Sequence, residues 1–451
     1  MIIVVSDFDL KGSGYMNIAI AVCNELSNRG HRVMALGIGY KGGEHNWPFS
    51  IIPVNTPQAF IHIPAMIQNL KSLGQAKQLP PIQAMIVALD IPQQERLLTI
   101  PMCADIPHLG IFPIESGPLC ASWANVLSMM EAPCVISKFG LQQMADAGVD
   151  GIYLPIGLDT EAWRRPLKNE RVKLREAMGY TEDQLIVLTV ADNQERKNLS
   201  AGMNIIKETA ESIDVRWMLV TRIQSQVGWK LDDMAIEKDV MERFAKYERG
   251  LPFDRLWTLY AIADVFLLPS KAEGLCMPIL EAMATGVAVV ATDCTAVTEH
   301  LFEDPINRTG QRGFPMDVEY IHQDVWGNSM RSYVDVKSGV HRLRAIYELK
   351  KSGKLEEMIL APARAYVETR TWNRCGDVLD EKLREIMLKE QPATMPEGGR
   401  APATVPRMIP LPEEPDEQEE EAQGEAQGEA QDFAATVPTA EATNRPEGNA
   451  D

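Results

Sequence analysis

The sequence lacks the features of a disulfide-bonded, zinc-binding or membrane-spanning protein. Its seven cysteines are widely spaced and form no CxxC pair, and its seven histidines include no HxxxH pair. These spacings argue against a disulfide framework or a structural metal, and they fit a reducing cytoplasm. No run of 18 apolar residues occurs, so no spanning helix is expected. Asp7 and Asp9 interrupt the apolar N-terminus, which predicts a buried strand rather than a signal peptide.

The formal net charge of −19 is unevenly distributed along the chain. Residues 391–451 contain 14 acidic and three basic side chains, so they carry −11, and −8 remains for the first 390 residues. The sequence has no basic stripe, which disfavours a nucleic-acid partner but leaves room for peripheral contact with a membrane. Residues 391–451 are dominated by Pro, Ala, Glu, Gln and Gly, so we expect a disordered acidic tail. A partner-binding tail is the alternative.

Strand and helix patterns alternate through both halves of the chain. Helical spacing of apolar residues separates the strands, as in Met16–Arg29. This alternation predicts an α/β fold with two Rossmann-like, doubly wound parallel-sheet domains. The predicted strands are Ile2–Ser6, Arg32–Gly37, Ala84–Leu89, His108–Phe112, Cys134–Ser137, Leu185–Ala191, Arg216–Thr221, Val265–Leu268 and Val287–Thr292.

The turn-rich segment Tyr153–Asp159 is the predicted link between the two domains. We expect an N-terminal Rossmann-like acceptor domain at 1–160 and a donor-binding domain at 161–353. A helical segment at 354–390 should follow, because Leu379, Leu383 and Ile386 recur on one helical face. The acidic tail then takes up residues 391–451.

The stretch from Ala263 to Leu301 carries the strongest chemical signal. A buried strand is followed by a loop with Glu273, and Pro278 then opens a helix that contains Glu281. The N-terminus of a helix suits an anion, and ligands bind open α/β sheets at the carboxyl ends of the strands. Carboxylates on either side of a phosphate suit the hydroxyls of a sugar and a ribose. The alternative is a surface helix with two incidental acids.

This phrase, EGLCMPILEAMATGVAVV, resembles the donor-site signature of retaining GT-B glycosyltransferases, in particular glycosyltransferase family 4. The resemblance implies two domains facing a cleft, a nucleotide-diphosphate sugar as donor, and no metal or other cofactor. A UDP- or GDP-sugar is the family-based expectation. Glu273 would bind the transferred sugar as a catalytic candidate, and Glu281 would bind the ribose. The diphosphate would lie against Gly274, Leu275, Cys276 and Met277, with Cys276 standing where glycine is common.

A second element, VLTVADNQERKNL, places Arg196 and Lys197 after a predicted strand. Two cations there suit a leaving diphosphate, whose charge grows as the glycosidic bond breaks. The element resembles the VGxLxxxKN loop of the same family, and Lys197 matches its lysine. Asp192 stands where many members carry arginine. Taken alone, such a pair of cations is as easily part of a solvated surface.

Two weaker candidates lie in the first half. Gly12 and Gly14 allow close approach of the backbone to a ligand, as in the family's glycine-rich loop, but an ordinary turn explains them equally well. Glu115 stands where the family often has histidine, and it is a catalytic candidate that would orient the acceptor hydroxyl or bind the sugar. An incidental loop acid is the alternative. His108 is expected inside a strand.

Together the motifs and the resemblance predict a cytoplasmic, metal-independent, retaining hexosyltransferase. Its acceptor is open: a glycan, a lipid, a protein or a small molecule. Three other interpretations remain at this point. The chain is a phosphorylase or epimerase on a similar fold, a non-enzymatic binding or scaffold protein that kept the donor pocket, or a glycosyltransferase acting on modified nucleic-acid bases. The acidic first half disfavours the last of these.

Overall fold

The structure is a computed structural model that describes residues 1–9, 14–55, 58–225 and 228–389. Gly12 and the acidic segment 391–451 lie outside the described residues, so the expectations for them stay predictions. In the ranges described, no helix is both long enough and apolar enough to cross a membrane.

The first half of the chain forms a seven-stranded parallel sheet in the order β3-β2-β1-β4-β5-β6-β7. Its strands are β1 (Ile2–Asp7), β2 (Val33–Ile38), β3 (Ser50–Val54), β4 (Ala84–Ala88), β5 (His108–Phe112), β6 (Ala132–Val135) and β7 (Ile152–Tyr153). The helices are α1 (Gly14–Asn28), α2 (Ala59–Gln75), α3 (Ile91–Leu98), α4 (Ala121–Ser128) and α5 (Lys138–Asp146). Strands β4 and β5 are buried along their whole length, as continuous apolar strands of a covered parallel sheet are.

The second half repeats this scheme with a six-stranded parallel sheet in the order β10-β9-β8-β11-β12-β15. Its strands are β8 (Leu185–Val190), β9 (Val215–Thr221), β10 (Phe244–Glu248), β11 (Val265–Leu268), β12 (Ala288–Thr292) and β15 (Phe314–Met316). The helices are α6 (Lys168–Ala177), α7 (Leu199–Thr209), α8 (Leu231–Glu237), α9 (Phe253–Ile262), α10 (Met277–Thr285), α11 (Val297–Leu301) and α12 (Val336–Lys351). The prediction of two Rossmann-like sheets is confirmed.

Two small antiparallel sheets accompany the second domain, and the sequence patterns did not predict them. One pairs β13 (Phe302–Asp304) with β14 (Thr309–Gln311). The other is a hairpin of β16 (Val318–Gln323) and β17 (Met330–Val334). Strand β16 is exposed at nearly every position, so it has no buried face that would produce an alternating pattern.

Two local predictions are wrong in their bounds. The strand predicted at Cys134–Ser137 ends at Val135, because the Ser137 hydroxyl accepts a hydrogen bond from the Gly140 N–H and caps α5. The terminal segment is not one helix either. A π-helical turn and α13 (Ala361–Glu368) precede a break at residues 369–371, and α14 (Trp372–Lys389) follows.

Helix α14 returns to the first domain and lies against α1. Its predicted face is confirmed, since Leu379, Leu383 and Ile386 are all buried. On the rim, Arg29 Nη2 lies 2.6 Å from Asp377 Oδ1, and His31 Nε2 lies 2.6 Å from Asp380 Oδ1. Helix α14 is therefore an integral part of the N-terminal domain.

The link between the two sheets is paired with this returning segment. The Leu158 N–H donates to the Arg370 carbonyl at 3.0 Å, and Arg370 Nε donates to the Ile156 carbonyl at 3.1 Å. A Cβ at Gly157 would lie 2.3 Å from the backbone nitrogen of Trp372. The two chain segments that connect the domains, at residues 156–158 and 370–372, are therefore in direct backbone contact.

Gly157→Ala should destabilise the protein by about 1–3 kcal/mol, because the added methyl group meets backbone atoms that cannot rotate away. Urea unfolding of the full chain measures this change. Gly74→Ala is the matched control: it lies in α2, and the nearest atom to its Cβ would be 3.4 Å away, an ordinary contact. Equal unfolding midpoints for the two variants would contradict the close crossing.

Candidate functional site

A buried carboxylate held by two cations lies at the carboxyl edge of the second sheet. Glu273 sits in the loop between β11 and α10 and is almost fully buried. Its Oε1 is 2.6 Å from Lys197 Nζ, and its Oε2 is 2.9 Å from Arg196 Nη1. Both cations come from the turn after β8, the strand next to β11. The structure thus brings together three residues that the sequence assigned to one site.

The same arginine reaches across to the first domain. Arg196 Nη2 lies 2.8 Å from Glu115 Oε1, and Glu115 follows β5. Arg331, a buried residue of β17, approaches the other oxygen of Glu115 at 3.6 Å. Glu115 is therefore an acid at the domain boundary with cations on both sides.

The charges in this cluster change the proton affinities of its carboxyls. Burial alone would raise the pKa of Glu273, but the charges of Lys197 and Arg196 outweigh burial and lower that pKa to about 2. Burial raises the pKa of Glu115 above its usual range, and Arg196 offsets only part of that effect. Burial would lower the pKa of Arg196, but its two carboxylate partners raise it. Glu273 is therefore a carboxylate across the physiological pH range.

The loop after Glu273 leads directly into the N-terminus of α10. Within the described residues no side chain caps this end, and Pro278 occupies its first turn. The positive end of the helix dipole suits an anion here, although Pro278 has no N–H and the Ile279 N–H donates to the Cys276 carbonyl at 3.1 Å. Cys276 precedes the helix with φ 68°, a left-handed conformation that favours glycine and gives a backbone reason for the family's preference there. A Cβ at Gly274 would lie 2.3 Å from Pro113 Cβ, so the loop touches the first domain.

Glu281 lies inside α10 and is buried. The Tyr260 hydroxyl donates to its Oε2 at 2.7 Å. Burial raises the pKa of Glu281 to about 7, and the hydrogen bond from Tyr260 opposes this shift. An acid in such surroundings suits hydrogen bonding to neighbouring hydroxyls more than a permanent ion pair.

His300, which is not among the predicted site residues, holds the loop between β11 and α10. His300 Nε2 lies 2.7 Å from the carbonyl oxygen of Leu275, and its Nδ1 lies 2.9 Å from the Tyr366 hydroxyl. Because a carbonyl only accepts, Nε2 must carry the proton and Nδ1 accepts from Tyr366. Burial lowers the pKa of His300 to about 3, so the ring stays neutral and holds the loop without adding charge.

Asp192, which replaces the arginine common in the family, pairs with arginines from neighbouring strands. Its Oδ2 lies 3.0 Å from Arg222 Nη2 and 3.8 Å from Arg249 Nη1. Arg222 follows β9 and Arg249 follows β10. The carboxyl edge of the second sheet therefore stays rich in cations despite the substitution.

The remaining predicted residues lie near the first sheet. Gly14 begins α1, and Tyr15 next to it donates a hydrogen bond of 2.5 Å to Asp90 Oδ1 after β4. His108 is buried in β5 as expected, with Nε2 3.1 Å from Gln94 Oε1. Among the described residues, no three His, Cys, Asp or Glu side chains are grouped as a metal site requires.

Sequence comparison connects the second domain with known proteins. Residues 185–314 match the family described as glycosyl transferases group 1. Over 173 aligned residues the chain is 27% identical to the alpha-galactosylglucosyldiacylglycerol synthase of Streptococcus pneumoniae. This alignment covers 36% of this chain and 44% of that protein. The aligned segment thus spans less than half of that relative. The family match at residues 185–314 includes the loops of Arg196 and Glu273.

Solved structures share the whole architecture at low identity. A sucrose-phosphate synthase from Thermosynechococcus elongatus superposes with a TM-score of 0.67 at 14% identity, over 86% of this chain and 99% of that one. Anabaena HepE in complex with UDP-glucose superposes with a TM-score of 0.61 at 13% identity, over 85% and 100%. The chain therefore has the GT-B fold, as predicted.

The buried carboxyl of Glu281 should make stability depend on pH in a defined direction. Its folded pKa of about 7 exceeds the ordinary 4.5, so protonated Glu281 contributes stability below pH 4.5 that is lost as the pH rises to 7. Glu281→Gln cannot ionise, so it should stabilise the fold at pH 8 by up to ~3 kcal/mol and have little effect near pH 4.5.

Urea unfolding of the wild type and Glu281→Gln at pH 5 and pH 8 measures this difference. The exposed Glu211→Gln in the second domain serves as the matched control for the loss of one charge. The same change in stability at both pH values would show that Glu281 is not a high-pKa acid.

Proposed function

We propose that the chain is a hexosyltransferase that uses a nucleotide-diphosphate sugar, retains the anomeric configuration and needs no metal ion. The observation that carries this proposal is the contact of Arg196 and Lys197 with buried Glu273, beside the uncapped N-terminus of α10. This arrangement offers two fixed cations and the positive end of the α10 helix dipole to an anion, and a carboxylate to sugar hydroxyls.

The donor would lie along the carboxyl edge of the second sheet. Its diphosphate would take the two cations and the positive end of the α10 helix dipole, while Glu273 accepts hydrogen bonds from the transferred sugar. Glu281 would accept from the ribose, since it keeps a carboxyl oxygen beyond the one that Tyr260 contacts. HepE, a structural relative, is solved with UDP-glucose, which makes UDP-sugars the first donors to try.

The reaction breaks the bond between the anomeric carbon and the diphosphate oxygen, and the bonding electrons stay on the diphosphate. Arg196 and Lys197 stabilise this growing charge, the work that a metal ion does in other enzymes. The acceptor oxygen then bonds to the anomeric carbon from the same face, and its proton passes to the departing diphosphate. The products are a glycoside with retained configuration and a nucleoside diphosphate.

Glu115 would connect this chemistry to the acceptor side. It belongs to the first domain, yet Arg196 contacts Glu115 and Glu273 with opposite ends of one guanidinium. When the diphosphate competes for Arg196, Glu115 gains a free oxygen that can accept from an acceptor hydroxyl. This places the acceptor between the two domains, where closure excludes water.

A panel of UDP- and GDP-sugars, assayed for transfer and donor hydrolysis with excess chelator, tests the proposal. Wild type should use one donor, and NMR of the product should show retained configuration. Lys197→Ala should lower kcat by about 10²–10³-fold, the usual cost of losing one charge-stabilising group. Lys207→Ala, an exposed lysine on α7, should leave the rate unchanged.

Three results would each overturn part of this account. Inverted product would remove the retaining mechanism, and a rate abolished by chelator would remove metal independence. Folded wild-type protein that binds no nucleotide sugar would exclude the transferase and favour a scaffold.

A further inference from the structure

A narrow cavity lies beside the donor cluster, on the far side of Glu115. Its walls come from both domains: Asp90, Glu115, Ser116 and Trp123 from the first, and Trp326 and Ser329 from the β16–β17 hairpin. Among these residues only Glu115 was a predicted site residue, and the proposed donor site uses none of the others.

The cavity combines apolar faces with hydrogen-bonding groups. The indole rings of Trp123 and Trp326 meet edge to face, with centroids 5.5 Å apart. The polar part of the wall consists of the side chains of Asp90, Glu115, Ser116 and Ser329, and Ile91, Pro92 and Pro113 complete the lining. A pyranose ring matches this composition, because its C–H faces pack on aromatic rings and its hydroxyls donate to carboxylates. An acyl chain has no donor to offer these carboxylates and hydroxyls, and a nucleic acid would be repelled by the two acids.

The hairpin closes the cavity through several specific contacts. The Ser116 and Ser329 hydroxyls are 2.7 Å apart, and the Met330 N–H donates to the Gly117 carbonyl at 2.8 Å. A Cβ at Gly327 would lie 2.8 Å from the Trp123 ring, so the hairpin backbone rests directly on that indole. The enclosed space is about 30 Å³, which suits a water molecule but not a sugar ring.

Arg331 connects this hairpin to Glu115. Its guanidinium lies 2.9 Å from Asp324 Oδ2 within the hairpin and 3.6 Å from Glu115 Oε2. Glu115 in turn contacts Arg196. A change in the position of the hairpin therefore alters the same carboxylate that faces the donor cations.

We propose that this cavity is the acceptor subsite, that it takes a sugar hydroxyl of a glycoside or glycan, and that the β16–β17 hairpin covers it. The inference rests on the proposed function, because it names the acceptor class for that reaction. The hairpin withdraws to admit the ring, Trp326 and Trp123 then pack on its faces, and Asp90 and Glu115 accept from its hydroxyls. The hydroxyl nearest Glu115 points toward the donor.

The test uses methyl and octyl glycosides of glucose, galactose and mannose as probes for the full-length protein. Saturation-transfer NMR measures their binding without a donor, and transfer assays measure kcat/KM with the donor that the wild type uses. Trp326→Ala should weaken glycoside binding and kcat/KM about tenfold or more, with most of the change in KM. In Trp326→Ala, donor affinity and the rate of donor hydrolysis should stay within about twofold of the wild-type values. Trp326→Phe keeps an aromatic ring and should bind glycosides as the wild type does.

Val325→Ala is the matched control, since Val325 adjoins Trp326 and is 95% exposed. Glycoside binding that is absent in the wild type, or unaffected by Trp326→Ala, would overturn the acceptor subsite even if the donor binds normally. Transfer to diacylglycerol vesicles or a peptide, without transfer to any glycoside, would overturn it as well. Failure of every nucleotide sugar to bind would contradict the proposed function instead, and the glycoside NMR would still decide what the cavity binds.

Discussion

One buried carboxylate, that of Glu273, determines how the centre of this molecule is organised. A carboxylate out of water is costly unless cations and hydrogen-bond donors compensate it. Lys197 and Arg196 supply the cations. The Thr295 hydroxyl fixes the backbone of Glu273 instead, accepting from its N–H and donating to its carbonyl oxygen, both at 3.0 Å. Because these groups come from different loops, their contacts with Glu273 fix those loops relative to one another at the carboxyl edge of the second sheet.

This charge pairing extends to the first domain, because Arg196 also contacts Glu115 through its Nη2. Removing one partner would leave a buried charge uncompensated, which usually costs about 3–5 kcal/mol. A diphosphate bound as proposed would change this balance, since it would bring its own negative charge to Arg196 and Lys197. Its binding and the contact between the domains would then be coupled by electrostatics.

The sequence predicted the parts of the structure that depend on local pattern. Apolar runs located nine of the thirteen strands described in the two parallel sheets and missed β3, β7, β10 and β15. The phrase around Glu273 and Glu281 located the loop between β11 and α10, because strand ends and helix starts are readable from proline, glycine and periodicity. It could not predict that Arg196 spans two domains, since such a contact depends on how the domains pack. The β16–β17 hairpin escaped prediction because β16 is exposed nearly throughout and β17 buries the polar residues Arg331 and Ser332. Arg331 and Trp326 also belong to no motif.

The most direct test of the account compares nucleoside diphosphate with nucleoside monophosphate binding by calorimetry. If Arg196 and Lys197 form a diphosphate site, UDP or GDP should bind wild type at least about a hundredfold more tightly than the matching monophosphate. Lys197→Ala should remove most of that ratio while leaving monophosphate affinity nearly unchanged. Equal affinities for the two nucleotides in wild type would contradict the diphosphate site and the mechanism built on it.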